Sequence, residues 1–200
     1  MIKPVLIMFV RLLTGARLRW RGDGPSLRQS VYFANHTSNL DALVIWAALP
    51  RILRDRTRPV AARDYWSQTR LRRYLAERVL KAVLIERRKV TVKSNPLVPM
   101  LAALDAGSSL ILFPEGGRRA DGEVGDFKGG LHHLARLRPA VEFVPTWVDN
   151  VNRVLPKGEI LPVPFLGSVT MGRPLILMAR ESRDCFLARA RREVENLRVP

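Results

Sequence analysis

The sequence predicts a single α/β domain built on a mostly parallel, mixed sheet that is covered by helices. Ser109–Phe113 is a continuous apolar run of strand length, which is typical of a strand buried on both faces. Several such runs alternate with longer segments of helical pattern, and this alternation implies parallel strands with helices on the sheet faces. Three of the predicted strands also end in polar or glycine-containing segments, where α/β sheets place their functional groups.

The first segment, residues 1–25, is predicted to form a short N-terminal amphipathic helix that associates with a membrane. Its uncharged core, Pro4–Val10, is too short to span a bilayer. Apolar residues followed by Trp20 and neighbouring arginines suit a helix lying in the membrane interface. The same pattern also fits a helix packed on the protein's own core, and one helix can do both.

Residues 26–200 are predicted to form the domain itself, and short runs rich in β-branched and aromatic residues mark its strands. The elements expected in its first half are a buried strand at 31–33, an apolar helix at 42–49, a basic loop at 50–59, a short strand at 60–63, an irregular helical stretch at 65–78 and a strand at 79–85. Those expected in its second half are a helix at 96–106, the strand at 109–113, a helix at 130–137, a strand at 141–148, an irregular proline-rich segment with edge strands and a closing helix at 181–197.

The composition is that of a folded, strongly basic chain of 200 residues. With 47% hydrophobic and 26% charged residues, it is neither a disordered chain nor a multi-span membrane protein. The single cysteine, Cys185, excludes an intramolecular disulfide and fits a reducing compartment. The three histidines show no metal-ligand spacing, so no metal site is expected.

The net charge of +16 is concentrated in the first half of the chain, because residues 51–93 carry +10 and residues 1–28 carry +5. A field of this strength indicates an anionic partner, which can be a nucleic acid, a phosphate-bearing substrate or an anionic membrane surface.

His36 and Asp41 lie on the polar turn between the first predicted strand and its helix. A carboxylate about one helical turn from a histidine can fix the tautomer of the imidazole and raise its basicity. The structural alternative is that Asp41 caps the helix and His36 is a partly buried polar residue. The spacing of the pair by itself favours that structural alternative. The choice between the two interpretations therefore depends on motifs elsewhere in the sequence.

Two further predicted strands end in groups that suit a phosphate. Arg87 follows the strand at 79–85, and a glycine turn with Arg118 follows the strand at 109–113. Because strand carboxyl ends line one crevice in an open α/β sheet, these groups and His36 can converge there. The set comprises a base, glycines that permit close backbone approach and guanidinium groups that grip phosphate, and it predicts activation of a hydroxyl on a phosphate-bearing molecule.

Four segments resemble, in the right order, the sequence blocks of the glycerophospholipid acyltransferases, the family typified by 1-acylglycerol-3-phosphate (lysophosphatidate) acyltransferase. The first block, Asn35–Asp41, resembles NHxSxxD, and the second, Leu84–Arg87, resembles an apolar strand ending in an acidic residue and arginine. The third block, Phe113–Arg118, resembles FPEGTR and is followed by Phe127–Gly130, which resembles FKxG. Val144-Pro145 fits the fourth block, an apolar strand with a proline.

The resemblance implies a glycerol-3-phosphate acyltransferase-like fold and the transfer of a fatty acyl group from acyl-CoA or acyl carrier protein to the free hydroxyl of a lysophospholipid. It implies that His36 is the general base and that Asp41 orients it, help that is typically worth about 10²–10⁴ in rate. It assigns the binding of the acceptor to Arg87, Glu115, Gly116, Gly117 and Arg118. The default acceptor is 1-acylglycerol-3-phosphate, since two arginines suit a terminal phosphate.

The partners implied in this way are the lysophospholipid, the acyl-CoA or carrier-protein donor and an anionic membrane surface, with no cofactor beyond the donor and no nucleic acid. We expect a peripheral location on the cytoplasmic face of the cell membrane.

Two positions depart from the pattern of the family. Gly117 stands where threonine is usual, and Arg119 stands where serine often follows. The acceptor can therefore be another lipid or alcohol. Lys128 and His132 are expected to be solvated helix residues.

Two functions of other classes are alternatives to acyl transfer. A basic nucleic-acid- or membrane-binding protein without catalysis is motivated by charge alone, and the chain has no recognisable reading helix or aromatic-rich binding strand. A lipid hydrolase would need a nucleophile elbow of the G-x-S-x-G type, which this sequence lacks.

Overall fold

A computed structural model describes residues 2–15, 17–22, 24–86, 94–119, 122–149 and 167–198. The strands are β1 (Arg17–Trp20), β2 (Ser30–Ala34), β3 (Thr57–Ala62), β4 (Val83–Ile85), β5 (Ser109–Leu112), β6 (Glu142–Asp149) and β7 (Ser168–Met171). The helices are α1 (Ile2–Thr14), α2 (Asp41–Ala48), α3 (Arg51–Arg54), α4 (Arg63–Trp66), α5 (Arg70–Tyr74), α6 (Leu97–Asp105), α7 (Gly130–Leu137) and α8 (Arg183–Glu195), with a π-helical turn at Leu75–Val79.

Within these residues the seven strands form one sheet in the order β1-β7-β6-β2-β5-β3-β4. Every neighbouring pair is parallel except β6 and β7, which are antiparallel. The predicted class, an α/β domain with a mostly parallel mixed sheet, is confirmed. Strand β2 lies between β5 and β6, so its carboxyl end opens at the middle of the sheet edge.

The sheet separates two apolar cores, because successive side chains on a strand point to opposite faces. On β2, Val31 and Phe33 pack into one core with α6, α7 and α8. Tyr32 and Ala34 pack into the other core with α1 and α2. All five residues of β2 are buried, which explains why apolar residues follow one another from Val31 to Ala34.

The predicted N-terminal helix over residues 1–25 is shorter than expected. Helix α1 ends at Thr14, and residues 17–20 form the edge strand β1, which pairs in parallel with β7. Leu18 and Trp20 alternate with two arginines and pack against the core that also contains α1. None of the helices in the described parts of the chain is both long and apolar enough to cross a membrane.

Three further elements differ from the prediction. The strand expected at 79–85 is limited to β4, because Val79 ends the π-helical turn and residues 80–82 form neither helix nor strand. Strand β3 begins at Thr57, inside the segment that was predicted as a basic loop. Its Pro59 is tolerated where the strand changes from pairing with β5 to pairing with β4. Strand β7 is interior rather than an edge strand, and residues 150–166 of the proline-rich segment lie outside the described residues.

Candidate active site

The turn between β2 and α2 holds His36 and Asp41 in direct contact. Oδ2 of Asp41 lies 2.9 Å from Nδ1 of His36, and it also accepts the backbone N–H groups of Thr37 at 2.7 Å and Ser38 at 2.8 Å. The Asp41 side chain is fully buried, whereas the His36 side chain is 20% exposed. A buried carboxylate in this position favours the tautomer with the proton on Nδ1 and leaves Nε2 as the basic nitrogen.

Phe113 supports the imidazole ring from one face. The ring centroids of His36 and Phe113 are 4.1 Å apart and their planes differ by 17°, which is a stacked arrangement. Phe113 directly follows β5, the neighbour of β2, so the two rings meet at the carboxyl ends of adjacent strands. Stacking limits tilting of the ring, and the contact with Asp41 limits its rotation.

The third block is tied to the first through the backbone of His36. Oε1 of Glu115 accepts the N–H of His36 at 2.9 Å, and Oε2 accepts the N–H of Gly125 at 3.1 Å. The N–H of Arg119 donates to the carbonyl of His36 at 2.9 Å. The glycine turn therefore binds both backbone groups of the histidine and fixes its position relative to the wall of the site.

The charge state of Glu115 reflects a balance between opposing effects. Burial raises the pKa of its carboxyl group above the ordinary value. The two backbone hydrogen bonds and the nearby charges of His36 and Arg119 lower the pKa and offset part of that rise.

Lys128 lies across the glycine turn. Its N–H donates to the carbonyl of Pro114 at 2.9 Å, and its side chain folds back over Gly116. A methyl group added at Gly116 would lie 2.5 Å from the Nζ atom of Lys128. Gly116 also has a φ of +72°, a left-handed conformation that glycine adopts without strain. Residue 116 is thus glycine for two reasons, its backbone angle and the lysine that crosses it.

A cavity of about 290 Å³ opens beside His36, at the carboxyl ends of β3, β4 and β5. Its polar lining comprises the turn residues Gly116 and Gly117 and the side chains of His36, Asn39, Glu86, Arg118 and Lys128, so the cations outnumber the single carboxylate. Its apolar walls include Leu43, Val60, Trp66, Leu80, Ile85, Met100 and Leu131. A cavity with one cationic wall and several apolar walls fits an amphiphilic molecule that carries a negative charge.

The structure brings most of the predicted site residues together. His36, Gly116, Gly117 and Arg118 line the cavity, and Asp41 supports the imidazole from behind. Glu115 lies behind the turn with backbone donors on both of its oxygens, and the cavity wall is formed by its neighbours instead. Arg87 lies outside the described residues. The residue before it, Glu86, lines the cavity.

Sequence reasoning missed Phe113 and Lys128, both of which line the cavity. Lys128 is exposed, as expected of a solvated residue, but it precedes α7 instead of lying in the helix, and its side chain passes over Gly116 at the cavity. The same expectation for His132 is wrong, because that side chain is 8% exposed and packs edge-on against Phe186 of α8. The described residues contain no group of three or more His, Cys, Asp or Glu side chains that could hold a metal ion.

Comparison with known proteins places this chain in a family. The model of the Acyltransferase family matches residues 20–149, and the chain belongs to that family. This result confirms the resemblance that the sequence blocks indicated.

Two curated relatives are each 28% identical to this chain. One is a probable 1-acyl-sn-glycerol-3-phosphate acyltransferase of Mycoplasma genitalium, aligned over 68% of this chain and 43% of the relative. The other is a 1-acyl-sn-glycerol-3-phosphate acyltransferase of Limnanthes alba, aligned over 76% of this chain and 53% of the relative. The chain spans about half the length of these relatives.

The fold is similar to that of a solved structure, the 1-acyl-sn-glycerophosphate (LPA) acyltransferase of Thermotoga maritima. The TM-score is 0.70 at 21% sequence identity, with 98% of this chain and 79% of the other chain covered. This similarity supports the architecture of the sheet and helices.

Proposed function

We propose that this protein is an O-acyltransferase that moves a fatty acyl group from a thioester, acyl-CoA or acyl carrier protein, to the free hydroxyl of a lysophospholipid. The acceptor we propose is 1-acylglycerol-3-phosphate. The observation that carries the proposal is the 2.9 Å contact between His36 and Asp41 on the wall of an amphiphilic cavity that also contains Arg118. Family membership and the names of the two relatives support it.

In the proposed reaction, His36 acts as the general base. Its Nε2 takes the proton of the acceptor hydroxyl while the oxygen attacks the thioester carbonyl carbon. The tetrahedral intermediate then expels the thiolate, which receives the proton from the imidazolium as the C–S bond breaks. Asp41 stabilises the transient imidazolium and keeps Nε2 directed towards the acceptor. The step needs no covalent intermediate on the enzyme and no cofactor besides the thioester donor.

The cavity suits the two parts of the proposed acceptor. Arg118 can bind the phosphate through two parallel hydrogen bonds, and Arg87 is the second arginine that the family pattern assigns to it. The apolar walls suit an acyl chain, because removing hydrocarbon from water stabilises the complex by about 0.8 kcal/mol per buried CH₂ group.

The proposal includes peripheral docking on an anionic membrane at the cytoplasmic face. Val5, Met8, Phe9 and Leu12 of α1 are between 53% and 74% exposed and follow the i, i+3, i+4, i+7 spacing of one helix stripe. The opposite side of the helix packs on the core that contains α2. Near an anionic surface each arginine would add about 1 kcal/mol to binding.

The test is an acyl-transfer assay with labelled acyl-CoA and acyl carrier protein, in which products formed on a panel of lysophospholipid and alcohol acceptors are identified by mass. We expect wild-type transfer to 1-acylglycerol-3-phosphate, its loss in His36→Ala and a fall of about 10²–10⁴ in rate for Asp41→Asn. Asp105→Asn is the control, since Asp105 forms an exposed ion pair with Arg138 away from the cavity. Transfer by His36→Ala at the wild-type rate would refute the mechanism.

A further inference from the structure

Helices α7 and α8 pack against each other, and a histidine lies between them. His132 of α7 is 8% exposed and meets Phe186 of α8 edge-on, with the ring centroids 5.9 Å apart. Phe186 is fully buried, and Leu134 of α7 and Ala190 of α8 belong to the same apolar core. The imidazole is therefore part of a packed interface between two helices.

The surroundings of His132 favour a neutral imidazole. Its Nδ1 atom is buried and has no hydrogen-bond partner among the residues that the structure describes. The nearby carboxylate of Glu181 is already occupied, because Arg189 donates to its two oxygens at 2.9 and 2.7 Å. Helix α6 also packs on α7, and its charged residue, Asp105, is paired with Arg138. Neither Nδ1 nor these carboxylates can therefore help to hold a proton on the ring.

Most of the charged groups that face His132 are basic. His133 and Arg136 lie on the same helix, and Arg183 lies at the start of α8. Burial lowers the pKa of His132 below its ordinary value, and these three basic groups lower the pKa further. Glu181, just before α8, acts in the opposite direction.

Helix α7 also forms part of the wall of the cavity beside His36. Its first two residues, Gly130 and Leu131, line the cavity, and His132 follows them directly. A movement of α7 away from α8 therefore also moves this part of the cavity wall.

We propose that the contact between His132 and Phe186 is a pH-sensitive latch, which holds α7 on α8 while the imidazole is neutral and loosens when the ring takes up a proton. In the imidazolium both ring nitrogens carry a proton, so Nδ1 becomes a buried donor without an acceptor. The new positive charge also faces Arg136 and Arg183. The latch does not depend on what the cavity binds, so it goes beyond the proposed function.

Protonation of His132 lowers the stability of the fold in mildly acidic solution. In an unfolded chain histidine takes up a proton near about pH 6.5, whereas the folded protein binds this proton less readily. As the pH falls through that value, the unfolded state binds more protons and stability decreases. The loss stops growing below the pKa of His132 in the folded protein. The pair of Glu181 and Arg189 is lost only at lower pH, because the pKa of Glu181 lies below its ordinary value of 4.5.

Thermal unfolding of the full-length protein without lipid, between about pH 7.5 and about pH 5, tests the latch. We expect the Tm of the wild type to fall by about 3–6 °C more than the Tm of His132→Phe, whose ring cannot take up a proton. His132→Leu is a second variant without a titratable group, and it should also lack the extra loss.

Hydrogen exchange over the same pH range locates the loosening. After correction for the intrinsic exchange rates, amide protection in residues 130–137 should fall at least about threefold in the wild type and stay within about twofold in His132→Phe. Helix α1 packs on the opposite face of the sheet and should keep its protection.

Two arginines of α8 provide a matched pair of variants. Arg183→Gln removes a cation that faces His132, so the acid-induced fall in Tm should become smaller. Arg192→Gln removes another exposed arginine of the same helix and should leave the fall as it is in the wild type.

An equal fall in Tm for the wild type, His132→Phe and His132→Leu would overturn the latch. It would also be overturned if the protection of residues 130–137 did not change with pH, or if Arg183→Gln and Arg192→Gln had the same effect. These measurements use no lipid, so they decide the latch whether or not the protein transfers acyl groups.

Discussion

The carboxylate of Glu115 binds the backbone N–H of His36 at 2.9 Å, so a side chain of the third block holds the main chain of the first. Its second oxygen binds the N–H of Gly125, which joins a third segment to the same group. One side chain thus fixes both a turn that lies 79 residues earlier in the chain and the loop ten residues further on. This geometry makes Glu115 a positioning residue for the imidazole.

Glu115→Gln should lower kcat without raising the KM for the acceptor. The amide keeps one acceptor oxygen but turns an NH₂ group towards a backbone N–H, so the histidine turn shifts. A displacement of about 1 Å can cost about 10²-fold in rate, and we expect a loss of about 10- to 100-fold. Steady-state kinetics with varied acceptor measure the effect. Glu123→Gln, an exposed carboxyl in the following loop, is the control. An unchanged kcat with a raised KM would instead indicate that Glu115 contacts the acceptor.

Asn35 should matter for stability more than for chemistry. Its Nδ2 donates to the carbonyl of Val148 at 2.9 Å, and its Oδ1 accepts the N–H of the same residue at 2.8 Å, in a buried environment. Asn35→Ala leaves both groups of Val148 unpaired. Each buried unpaired group costs about 1–3 kcal/mol, so we expect the free energy of unfolding to fall by about 2–4 kcal/mol.

Urea unfolding measures this change. Gln68→Ala removes an exposed amide that bonds only at the surface with Arg72, and it serves as the control. A value for Asn35→Ala within about 0.5 kcal/mol of wild type would contradict the role assigned to the paired hydrogen bonds.

Sequence reasoning succeeded where the information is local or periodic. The apolar runs at β2 and β5 identified buried strands, and the run at β5 was predicted to be buried on both faces. The turn after β2 was predicted to carry His36 and Asp41, and the two side chains are in contact. The five-residue separation across a strand-to-helix turn permitted this contact but did not by itself predict a catalytic pair, and the four sequence blocks taken together favoured it.

The positions of Lys128 and Glu115 depend on contacts between separate segments, which no local pattern encodes. Lys128 reaches the cavity because it folds over Gly116, and Glu115 turns away from the cavity because His36 offers it a buried N–H group. Strand β1 was missed because its apolar residues, Leu18 and Trp20, alternate with arginines directly after a helix. The Arg-Leu-Arg-Trp alternation was the available signal for that strand.

Glu181 should make stability depend on pH. The hydrogen bond from Arg189 holds the pKa of the Glu181 carboxyl below its ordinary value, and the Glu181 side chain is 8% exposed. Because the pKa in the folded state is depressed, the stabilisation is fully present above the pKa of the unfolded state. It is lost as the pH falls through the pKa of the folded state. We expect Glu181→Gln to cost about 1–3 kcal/mol at neutral pH and progressively less in acid.

Unfolding of the wild type and of Glu181→Gln at a series of pH values from neutral to acid measures the difference. Asp55→Asn, which breaks an exposed pair with Arg51, should stay within about 1 kcal/mol throughout. A difference between wild type and Glu181→Gln that does not change with pH would count against the ion pair as its cause.

The exposed stripe of α1 should contribute to membrane binding without contributing to folding. Phe9 and Leu12 are 53% and 74% exposed, so replacing both by serine removes no buried contact of comparable size. Inserting two such side chains into the acyl region is worth about 2–4 kcal/mol. We therefore expect Phe9→Ser/Leu12→Ser to bind anionic vesicles at least tenfold more weakly in a sedimentation assay, with an unchanged Tm.

Two matched variants separate membrane binding from packing. Ile176→Ser removes an equally exposed apolar side chain near α8 and should leave vesicle binding intact. Leu6→Ser alters the face of α1 that packs on the protein's own core, and it should lower the Tm because a buried contact is lost. If Phe9→Ser/Leu12→Ser lowers the Tm and leaves vesicle binding unchanged, the outer stripe serves the fold, and the basic surface alone must account for any attraction to the membrane.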